Sequence, residues 1–448
     1  MLTEQEIALA RASMDFALDN GAQKVRITLN KSLLELFGML DGQVDKVTHA
    51  LDRSLQISLF VDGRFGTFSS NRLDREQLEQ FIRTSIDTVR MLEPDPARDL
   101  PAPDRTAGDA RTGMEPGLFD PAYSGLTATR RRELAVSSSL WHRKAALEQG
   151  FTLLSEEGEY SDSIFDSIIM DSNGLFARHT ETSFEIGYEV TVEDPEGNRY
   201  ASYWWDASPT LDALLPSLAT CSETAVRRAA AQIGPREHPG GKFNMVVDSE
   251  CASKLLSPVL NALSGYAIQQ KNSFLLDRAG QQVFPERLTI LDLPRSAGRT
   301  GARLFDSEGV STQDVPIIEK GVISRYFINT YISNKTGLAP TVEDCSRPCV
   351  LPTGGCSTRE DVLRKMGSGI LVTGFNGGNS NSATGDFSYG IEGFAFRDGV
   401  VTHPVREMLV TGNFLTLWNH LAAVADDARL CMSKLIPTLA FENVDFSA

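Results

Sequence analysis

The chain has 448 residues, with 41% apolar and 23% charged residues and a formal net charge of −16, which is an ordinary globular composition with an acidic balance. An acidic surface repels phosphate backbones, and the one basic run, Arg130–Arg132, is followed directly by an acidic residue, so we expect no nucleic-acid partner. The first 15 residues lack signal-peptide features, and the uncharged stretch Met408–Ala425 is too polar for a bilayer span. With only six cysteines, these features predict a cytoplasmic protein without a membrane partner or a disulfide scaffold.

The first 92 residues predict two helices with strands between them. A capping-box spacing at Thr3 and Glu6 begins the first helix. Alternating apolar residues then predict strands, two of which meet at Asp62-Gly63, a dipeptide typical of hairpin turns. A second helix is predicted to begin at Asp74.

A proline-rich segment follows. Residues 93–123 contain six prolines and predict an extended connector with little regular structure. A helix is predicted from about Thr127 to Gln149, and strand-like runs occupy residues 151–205. Another helix, from about residue 211 to residue 232, is expected to end before Gly234-Pro235.

The break at residues 234–241 predicts a domain boundary between residues 235 and 236. Residues 1–235 are expected to form an α/β domain that includes the proline-rich excursion. Residues 236–448 predict helices near 249–270 and 358–366, and otherwise short strands joined by Gly-containing turns. Because helices and strands do not alternate regularly, the sequence predicts an α+β fold with a strand-rich C-terminal domain rather than a doubly wound parallel sheet.

The histidines do not form a metal-binding pattern. The closest two of the six, His403 and His420, are 17 residues apart, so no helix carries the histidine pair of a His-Glu-x-x-His zinc site. His179 and Glu181 are close in sequence, but they fall in a predicted strand. We do not expect them to bind a metal.

Two other segments leave alternatives open. Cys345, Cys349 and Cys356 lie close together and indicate either structural thiols, which we favour, or a metal or redox site. The Gly- and Asn-rich run 374–385 lacks the Gly-Lys-Ser/Thr ending of a phosphate loop. It predicts either a long polar turn or a flexible loop that exposes backbone amides to a ligand.

Three segments resemble one known family. Residues Val61–Asp74 resemble the G-x-x-G-x-x-S-x-N signature of the TldD/PmbA family, also described as modulators of DNA gyrase. Residues Leu304–Gly337 resemble its D-x-E-G-x-x-T stretch, and residues Ile370–Phe414 its T-G-D-F-S and G-N run. The resemblance covers almost the whole chain in register.

The zinc-binding helix of the TldD branch distinguishes the two branches of this family. That helix carries His-Glu-x-x-x-His and should follow the strand Phe243–Val247. Here Leu255–Gly265 contains neither His nor Glu, and Asn272–Glu286 looks like the PmbA/TldE branch. The resemblance therefore implies the non-metal-binding subunit of a TldD/TldE-type metalloprotease. It implies no cofactor in this chain, zinc in a TldD-type partner subunit, and unfolded or extended peptides as substrates.

The matched C-terminal run also supplies candidate binding residues. Gly385, Asp386, Phe387 and Asn413 are predicted to contribute to a peptide- or partner-binding groove, the alternative being that they are turn and packing residues. No catalytic or metal-binding residue is predicted in this chain. The family's S-T-G-N-A signature, expected after residue 337, is replaced here by Leu338–Val342, so its role is not carried over.

Two other functions remain open. The chain could be a stand-alone homodimeric peptide-binding protein without proteolytic activity. It could also be a metal or thiol enzyme that uses the three clustered cysteines. The net charge of −16 disfavours direct DNA contact, whatever the family's historical description.

Overall fold

The structure, a computed structural model, describes residues 1–146 and 150–448. The elements of the first half are α1 (Glu4–Asp19), β1 (Lys24–Leu40), β2 (Gln43–Val61), β3 (Arg64–Ser70), α2 (Arg75–Val89), α3 (Ala128–Ser137), β4 (Thr152–Asp171), β5 (Phe176–Glu193), β6 (Arg199–Ser208), α4 (Leu211–Leu218) and α5 (Cys221–Ala230). The elements of the second half are β7 (Gly241–Val247), α6 (Ser253–Ala262), α7 (Gly265–Gln269), β8 (Ile290–Asp292), β9 (Val315–Glu319), β10 (Val322–Ile323), α8 (Thr330–Thr336), β11 (Pro348–Val350), α9 (Arg359–Met366), β12 (Gly369–Ser380), β13 (Asp386–Arg397), β14 (Val400–Asn413), α10 (Phe414–Asn419), β15 (Leu421–Val424) and β16 (Leu439–Ser447). These helices and strands confirm the predicted α+β class.

The chain forms two compact units. The first comprises residues 1–230, 295–312 and 329–342, and the second comprises residues 231–294, 313–328 and 343–448. The first unit ends its continuous part five residues before the predicted boundary at 235/236. Two later segments return to it, so a single boundary in the sequence does not describe the division.

The first unit is built on one antiparallel six-stranded sheet in the order β3-β2-β1-β4-β5-β6. Its central strands are long, since β1 pairs with β2 and with β4 along nearly its whole length. Helices α1 and α2 cover part of one face, where Ile7, Ile27, Ile57 and Ile82 belong to one buried cluster. Helix α5 packs against β5 and β6.

The short sequence motifs of this unit form the predicted helix cap and hairpin turn. Thr3 and Glu6 form a reciprocal capping box at the start of α1. Asp62 and Gly63 both have positive φ, as a two-residue hairpin turn requires, and join β2 to β3. The proline-rich connector contains short 3₁₀ turns at Pro103–Arg105 and Pro121–Gly125 and isolated β-bridges at Thr106 and Gly113.

Three predicted helices are wrong in length. The helix predicted over 127–149 ends at Ser137 and is followed by a 3₁₀ turn at 141–146, and its predicted end, residues 147–149, lies outside the described residues. The helix predicted over 211–232 is two helices, since the chain leaves the helical path at Ala219 and Thr220, between α4 and α5. The helix predicted over 249–270 is also two, because Ser264 adopts an extended conformation between α6 and α7.

The second unit contains two sheets. The smaller has the order β10-β9-β8-β11. The larger has the order β14-β13-β12-β7-β16-β15, in which only β7 and β12 are parallel, and an additional pairing of β14 with β16 closes five of its strands into a ring. Helix α9 packs against this sheet through Val362, Leu363 and Met366. It lies where the sequence predicts a helix, over residues 358–366.

Candidate functional site

The four candidate binding residues meet at one corner of the larger sheet. Gly385 and Asp386 lie where the chain turns from β12 into β13, and Asn413 ends β14. The register of the sheet places Asp386 directly opposite Asn413, and Phe387 follows on β13. The structure therefore brings these residues together, whereas their role in binding stays a prediction.

The polar residues of this corner form a closed hydrogen-bond network. The Asn413 side-chain amide donates to the Asp386 carboxylate at 2.9 Å and to the Thr384 carbonyl at 2.8 Å. The Thr384 hydroxyl donates to the other Asp386 oxygen at 2.6 Å. These two donors hold the pKa of Asp386 below its usual range. The Asn413 oxygen also caps α10 by accepting from the Leu415 N–H at 3.0 Å.

Aromatic rings form the floor beneath this network. Phe387 stacks on Phe414 with ring centres 4.7 Å apart, and on Tyr389 at 5.4 Å. Phe274 also stacks on Phe414, with ring centres 5.9 Å apart. Gly385 has φ +81°, and an added Cβ would lie 3.1 Å from the Phe274 ring, so the close packing of this corner requires glycine. Sequence reasoning missed Phe274, which is more than a hundred residues earlier in the chain, and did not select Tyr389, which lies two residues after Phe387 on β13.

Helix α6 lies beside the same corner. Its Lys254 ammonium lies 4.6 Å from the centre of the Tyr389 ring. Its backbone carbonyl at Leu255 accepts a hydrogen bond from the Trp418 indole, which follows Phe414 in α10. This helix stands at the position where the TldD-type zinc helix was expected.

The side chains of α6 do not fit a zinc ion. Leu255, Leu256, Val259 and Leu260 are buried, and the helix contains no imidazole, thiolate or carboxylate. Zinc in proteins is bound by nitrogen, sulfur and oxygen donors, none of which these side chains supply. Within residues 1–146 and 150–448, no group of three or more His, Cys, Asp or Glu side chains is arranged to hold a metal.

The surroundings of the clustered cysteines disfavour a reactive thiolate. Cys356 is buried in the apolar cluster beneath α9. Burial raises the pKa of the Cys345 thiol, and so does the negative charge of Asp344, while burial also raises the pKa of Cys349. A raised pKa opposes the thiolate that a nucleophile or a metal ligand needs.

The weak histidine motif pairs a buried histidine with a part-exposed glutamate in the first unit. His179 is buried in β5, and its Nε2 lies 3.0 Å from the Glu181 carboxylate. The two residues lie on the same face of the strand, as their spacing requires. They do not belong to any metal-ligand group within the described ranges.

The Gly- and Asn-rich run is mostly strand, which corrects the prediction of a long loop. β12 continues to Ser380 and pairs with β13 through two irregularities, one of them between Asn376 and Asn379. Gly378 there has φ +94°, and an added Cβ would lie 2.1 Å from the Ser388 carbonyl oxygen. Glycines are tolerated in this strand because the backbones approach so closely.

The other side of β12 presents an unpaired edge. β7 pairs with β12 only over Ile370–Val372. From Thr373 to Ser380, no strand of the described part of the chain pairs with that side, and residues 376–380 are exposed. We call residues 373–380 the β12 edge. It begins beside the residues that precede α6, since the Asp248 N–H donates to the Val372 carbonyl.

Three parts of the chain match the three domains of the PmbA/TldA metallopeptidases. Residues 29–88 match domain 1 of the PmbA/TldA metallopeptidases, residues 142–233 match their central domain, and residues 240–448 match their C-terminal domain. The chain belongs to the PmbA/TldD family.

Individual relatives cover nearly the whole chain. Metalloprotease PmbA of Escherichia coli O157:H7 is 26% identical over 404 residues, which is 89% of this chain and 87% of that protein. A PmbA homolog of Haemophilus influenzae is 27% identical over 432 residues, or 95% and 92% of the two chains. The crystal structure of a Bacteroides thetaiotaomicron protein described as a modulator of DNA gyrase is 38% identical, covers all of both chains and has a TM-score of 0.94.

Proposed function

We propose that this chain is the non-metal-binding subunit of a TldD/TldE-type metalloprotease complex and supports the proteolysis of unfolded or extended peptides. In this proposal a TldD-type subunit supplies the zinc and the catalytic base. This chain contributes a surface that holds the peptide. No cofactor is required in this chain.

The observation that carries the proposal is the composition of α6. A peptidase of this family needs imidazole nitrogens to hold zinc and a carboxylate to activate water. Here Leu255, Leu256, Val259 and Leu260 pack into the core instead, so the helix has a structural role. Restoring a zinc site would require replacing buried apolar side chains, each of which contributes packing energy.

The β12 edge supports a role in peptide binding. An extended peptide adds to a sheet through backbone N–H and C=O groups, which every sequence offers. Residues 373–380 carry no charged side chain and include three glycines, so few side chains would obstruct or select the incoming strand. The half-buried Phe375 ring, 5.8 Å from the Tyr389 ring, offers an apolar contact for a peptide side chain.

The candidate residues act in this proposal as support for the edge. Asp386 and Asn413 hold the turn that follows β12, and Phe387 anchors the start of β13. Gly385 allows the chain to pass over Phe274. Their substitution is therefore expected to loosen the edge rather than to remove a reacting group.

The experiment that tests this function is reconstitution. The purified chain is mixed with a TldD-type subunit that carries His-Glu-x-x-x-His, and cleavage of an unstructured peptide is measured with and without a chelator. We expect cleavage only when both chains and zinc are present. A matched partner variant with its two histidines changed to alanine controls for contaminating peptidases. Cleavage by this chain alone that survives the chelator would overturn the proposal.

A stand-alone homodimeric peptide-binding protein is the second candidate. It shares the β12 edge and differs only in lacking a catalytic partner. Co-purification of the tagged chain from its native cell separates the two, because the first candidate requires a TldD-type subunit in the eluate. The metal or thiol enzyme is disfavoured by the burial of Cys356 and the raised pKa of Cys345.

The proposal places the complex in the cytoplasm. All six cysteines are thiols rather than disulfides, as is usual in a reducing compartment. No helix within the described ranges is long and apolar enough to cross a bilayer. The net charge of −16 supports a peptide rather than a nucleic acid as the ligand.

A further inference from the structure

Helices of the first unit pack on one face of its six-stranded sheet. Helices α1 and α2 pack on Ile27 of β1, which points to that face. Arg131 of α3 binds the Asp162 carboxylate of β4 on the same face. Arg228 of α5 lies over the Trp204 ring of β6 there. Because successive side chains of a strand point to opposite faces, the residues on either side of these in sequence belong to the other face.

The other face is covered near one end of β4 and β5. There Ala110 and Phe305 join Ile169 and Ala177 in one buried cluster. Away from this cluster the side chains of the face become exposed, and Tyr203 of β6 is 61% exposed. We call this exposed surface the acidic face, and its residues are Glu157, Glu159, Glu185, Glu189 and Tyr203.

The register of the sheet brings these side chains together. Glu189 of β5 lies directly opposite Glu157 of β4 on one side and Tyr203 of β6 on the other. Glu159 lies opposite Gly187, which stands midway between Glu185 and Glu189 on the same strand. Four carboxylates therefore surround one position that carries no side chain, with the tyrosine ring beside them.

The carboxylates of the acidic face lack a cationic partner. Glu193, farther along β5, is paired with Arg199 at 3.1 Å. In the part of the chain that the structure describes, no Lys, Arg or His side chain forms such a pair with any of the four glutamates. Like charges directly opposite each other destabilise an antiparallel pair, so Glu157 and Glu189 weaken the sheet unless a bound cation offsets their repulsion.

We propose that the acidic face binds an extended basic polypeptide segment that carries Lys or Arg at alternate positions. Alternate side chains of an extended chain point the same way and are about 6.5–7 Å apart. Glu157 and Glu159 are themselves alternate residues of an extended strand, so the two spacings match. The exposed Tyr203 ring offers its face to a further cation.

The charge of the face selects among possible ligands. A nucleic acid would be repelled by four unpaired carboxylates. A single metal ion does not fit, because no group of side chains within residues 1–146 and 150–448 is arranged to hold one. A basic polypeptide supplies several cations at regular spacing and can follow a sheet surface along its length. A polyamine shares this chemistry, and the experiments below separate the two.

The acidic face does not rest on the proposed function. It lies on the first unit, whereas the proposed peptide site is the β12 edge of the second. Its binding is measured on the full chain alone, without a TldD-type subunit. Failure of the acidic face would leave the metalloprotease proposal standing, and failure of the reconstitution would leave the acidic face standing.

The first experiment measures the binding of an end-blocked, fluorescently labelled peptide in which arginine alternates with serine. Fluorescence anisotropy at 0.1 M NaCl should show saturable binding to the full chain. The double variant Glu157→Gln and Glu189→Gln should weaken this binding at least about threefold, because it removes two charges from the face. Urea unfolding should show this variant to be at least as stable as the unsubstituted chain, since it also removes a like-charged pair.

A matched control removes two exposed carboxylates elsewhere. Glu76 lies on α2 and Glu196 in the turn between β5 and β6, and both are exposed. The double variant Glu76→Gln and Glu196→Gln has the same net charge as the face variant. It should leave the dissociation constant within about 1.5-fold of the unsubstituted value, because charges more than about 10 Å away are screened at 0.1 M salt.

The second experiment tests the spacing and the ring. A peptide of the same composition with all its arginines contiguous should bind about twofold more weakly or worse, because only alternate side chains of an extended segment can face the sheet. Tyr203→Leu keeps an apolar side chain but removes the ring, and should weaken binding of the alternating peptide by about two- to fivefold.

Four outcomes would overturn the proposal. The first is the absence of saturable binding by the alternating peptide. The second is an equal loss of binding in the face variant and the control variant, which would show attraction to the net charge alone. The third is equal binding of the contiguous peptide. The fourth is spermine that binds as tightly as the peptide and loses affinity in the face variant, because the ligand would then be a small polyamine.

Discussion

The two unpaired strand edges of this molecule differ in how their side chains are distributed. The β12 edge, Thr373–Ser380, has no charged residue and three glycines. The β2 edge, the side of Lys46–Ser54 that no strand of the described residues pairs with, carries three charged residues: Lys46, Asp52 and Arg53. An edge that offers little besides backbone suits many peptide sequences, whereas an edge with an ordered set of charges suits one partner. The composition of the β12 edge is therefore the one that suits the peptide-binding role proposed above.

The largest effect is expected where the β12 edge rests on buried rings. Phe387→Ala removes a buried ring that stacks on Phe414 and Tyr389, and should lower the free energy of unfolding by about 3–5 kcal/mol. Phe375→Ala, at a half-buried ring beside Tyr389, should cost about 1–2 kcal/mol. Urea unfolding of both variants measures the difference. Equal costs would mean that the corner does not anchor the edge.

Local signals were sufficient for the parts of the fold that they control. The capping box of Thr3 and Glu6 and the turn at Asp62-Gly63 depend on residues close in sequence, and the structure contains both. The split of α6 from α7 was missed, because it depends on the extended Ser264, which bridges to Phe327 far along the chain. Periodicity alone does not report such a contact.

The candidate site was likewise predictable only in part. Asp386 and Asn413 were selected from a family resemblance, and the sheet register explains why they meet. Phe274 was missed because it reaches the corner from a segment more than a hundred residues earlier. The strand character of residues 374–380 was missed because glycine and asparagine are depleted in strands, and tertiary pairing overrides that preference.

The glycines of the β12 edge provide a matched pair of substitutions. Gly377 and Gly378 both have positive φ, so an alanine at either position carries a backbone cost of about 1–2 kcal/mol. Only at Gly378 would the new Cβ meet the Ser388 carbonyl, whereas it meets nothing within 4 Å at Gly377. Gly378→Ala should therefore be less stable than Gly377→Ala by about 1–3 kcal/mol. Chemical denaturation compares them, and equal stability would show that the strands separate easily here.

A carboxylate near the β2 edge gives a pH-dependent test. Burial opposes ionisation of Glu6, but hydrogen bonds from the Thr3 backbone and from Lys31 outweigh it and lower its pKa to about 2. Its Oε1 also lies 3.6 Å from Arg53 of the β2 edge. Because the folded pKa is depressed, the stabilisation is present above the unfolded pKa near 4.5 and is lost as the pH falls toward 2.

Glu6→Gln should accordingly be less stable than the unsubstituted chain by about 1 kcal/mol at pH 7. The two unfolding free energies should converge as the pH is lowered from 5 to 2, because the substituted side chain does not titrate. Asp386→Asn at the β12 edge provides the comparison, since the pKa of Asp386 is lowered through Asn413 and Thr384 only. A stability difference for Glu6→Gln that is independent of pH would show that the charge does not contribute.

The smallest effect, the response to salt, separates the uncharged β12 edge from the acidic face of the first unit. Charge pairs near a protein surface are screened as ionic strength rises, since the Debye length falls from about 10 Å at 0.1 M to about 3 Å at 1 M. Binding of the alternating basic peptide to the acidic face should therefore weaken by about two- to threefold between 0.1 and 1 M NaCl. Binding of an uncharged, end-blocked extended peptide to the β12 edge should not change, because backbone hydrogen bonds carry it. Isothermal titration of both peptides in the same buffers compares the two. If binding of the uncharged peptide weakens with salt as much as that of the basic peptide does, the uncharged peptide is held by charged groups, and the β12 edge is not its site.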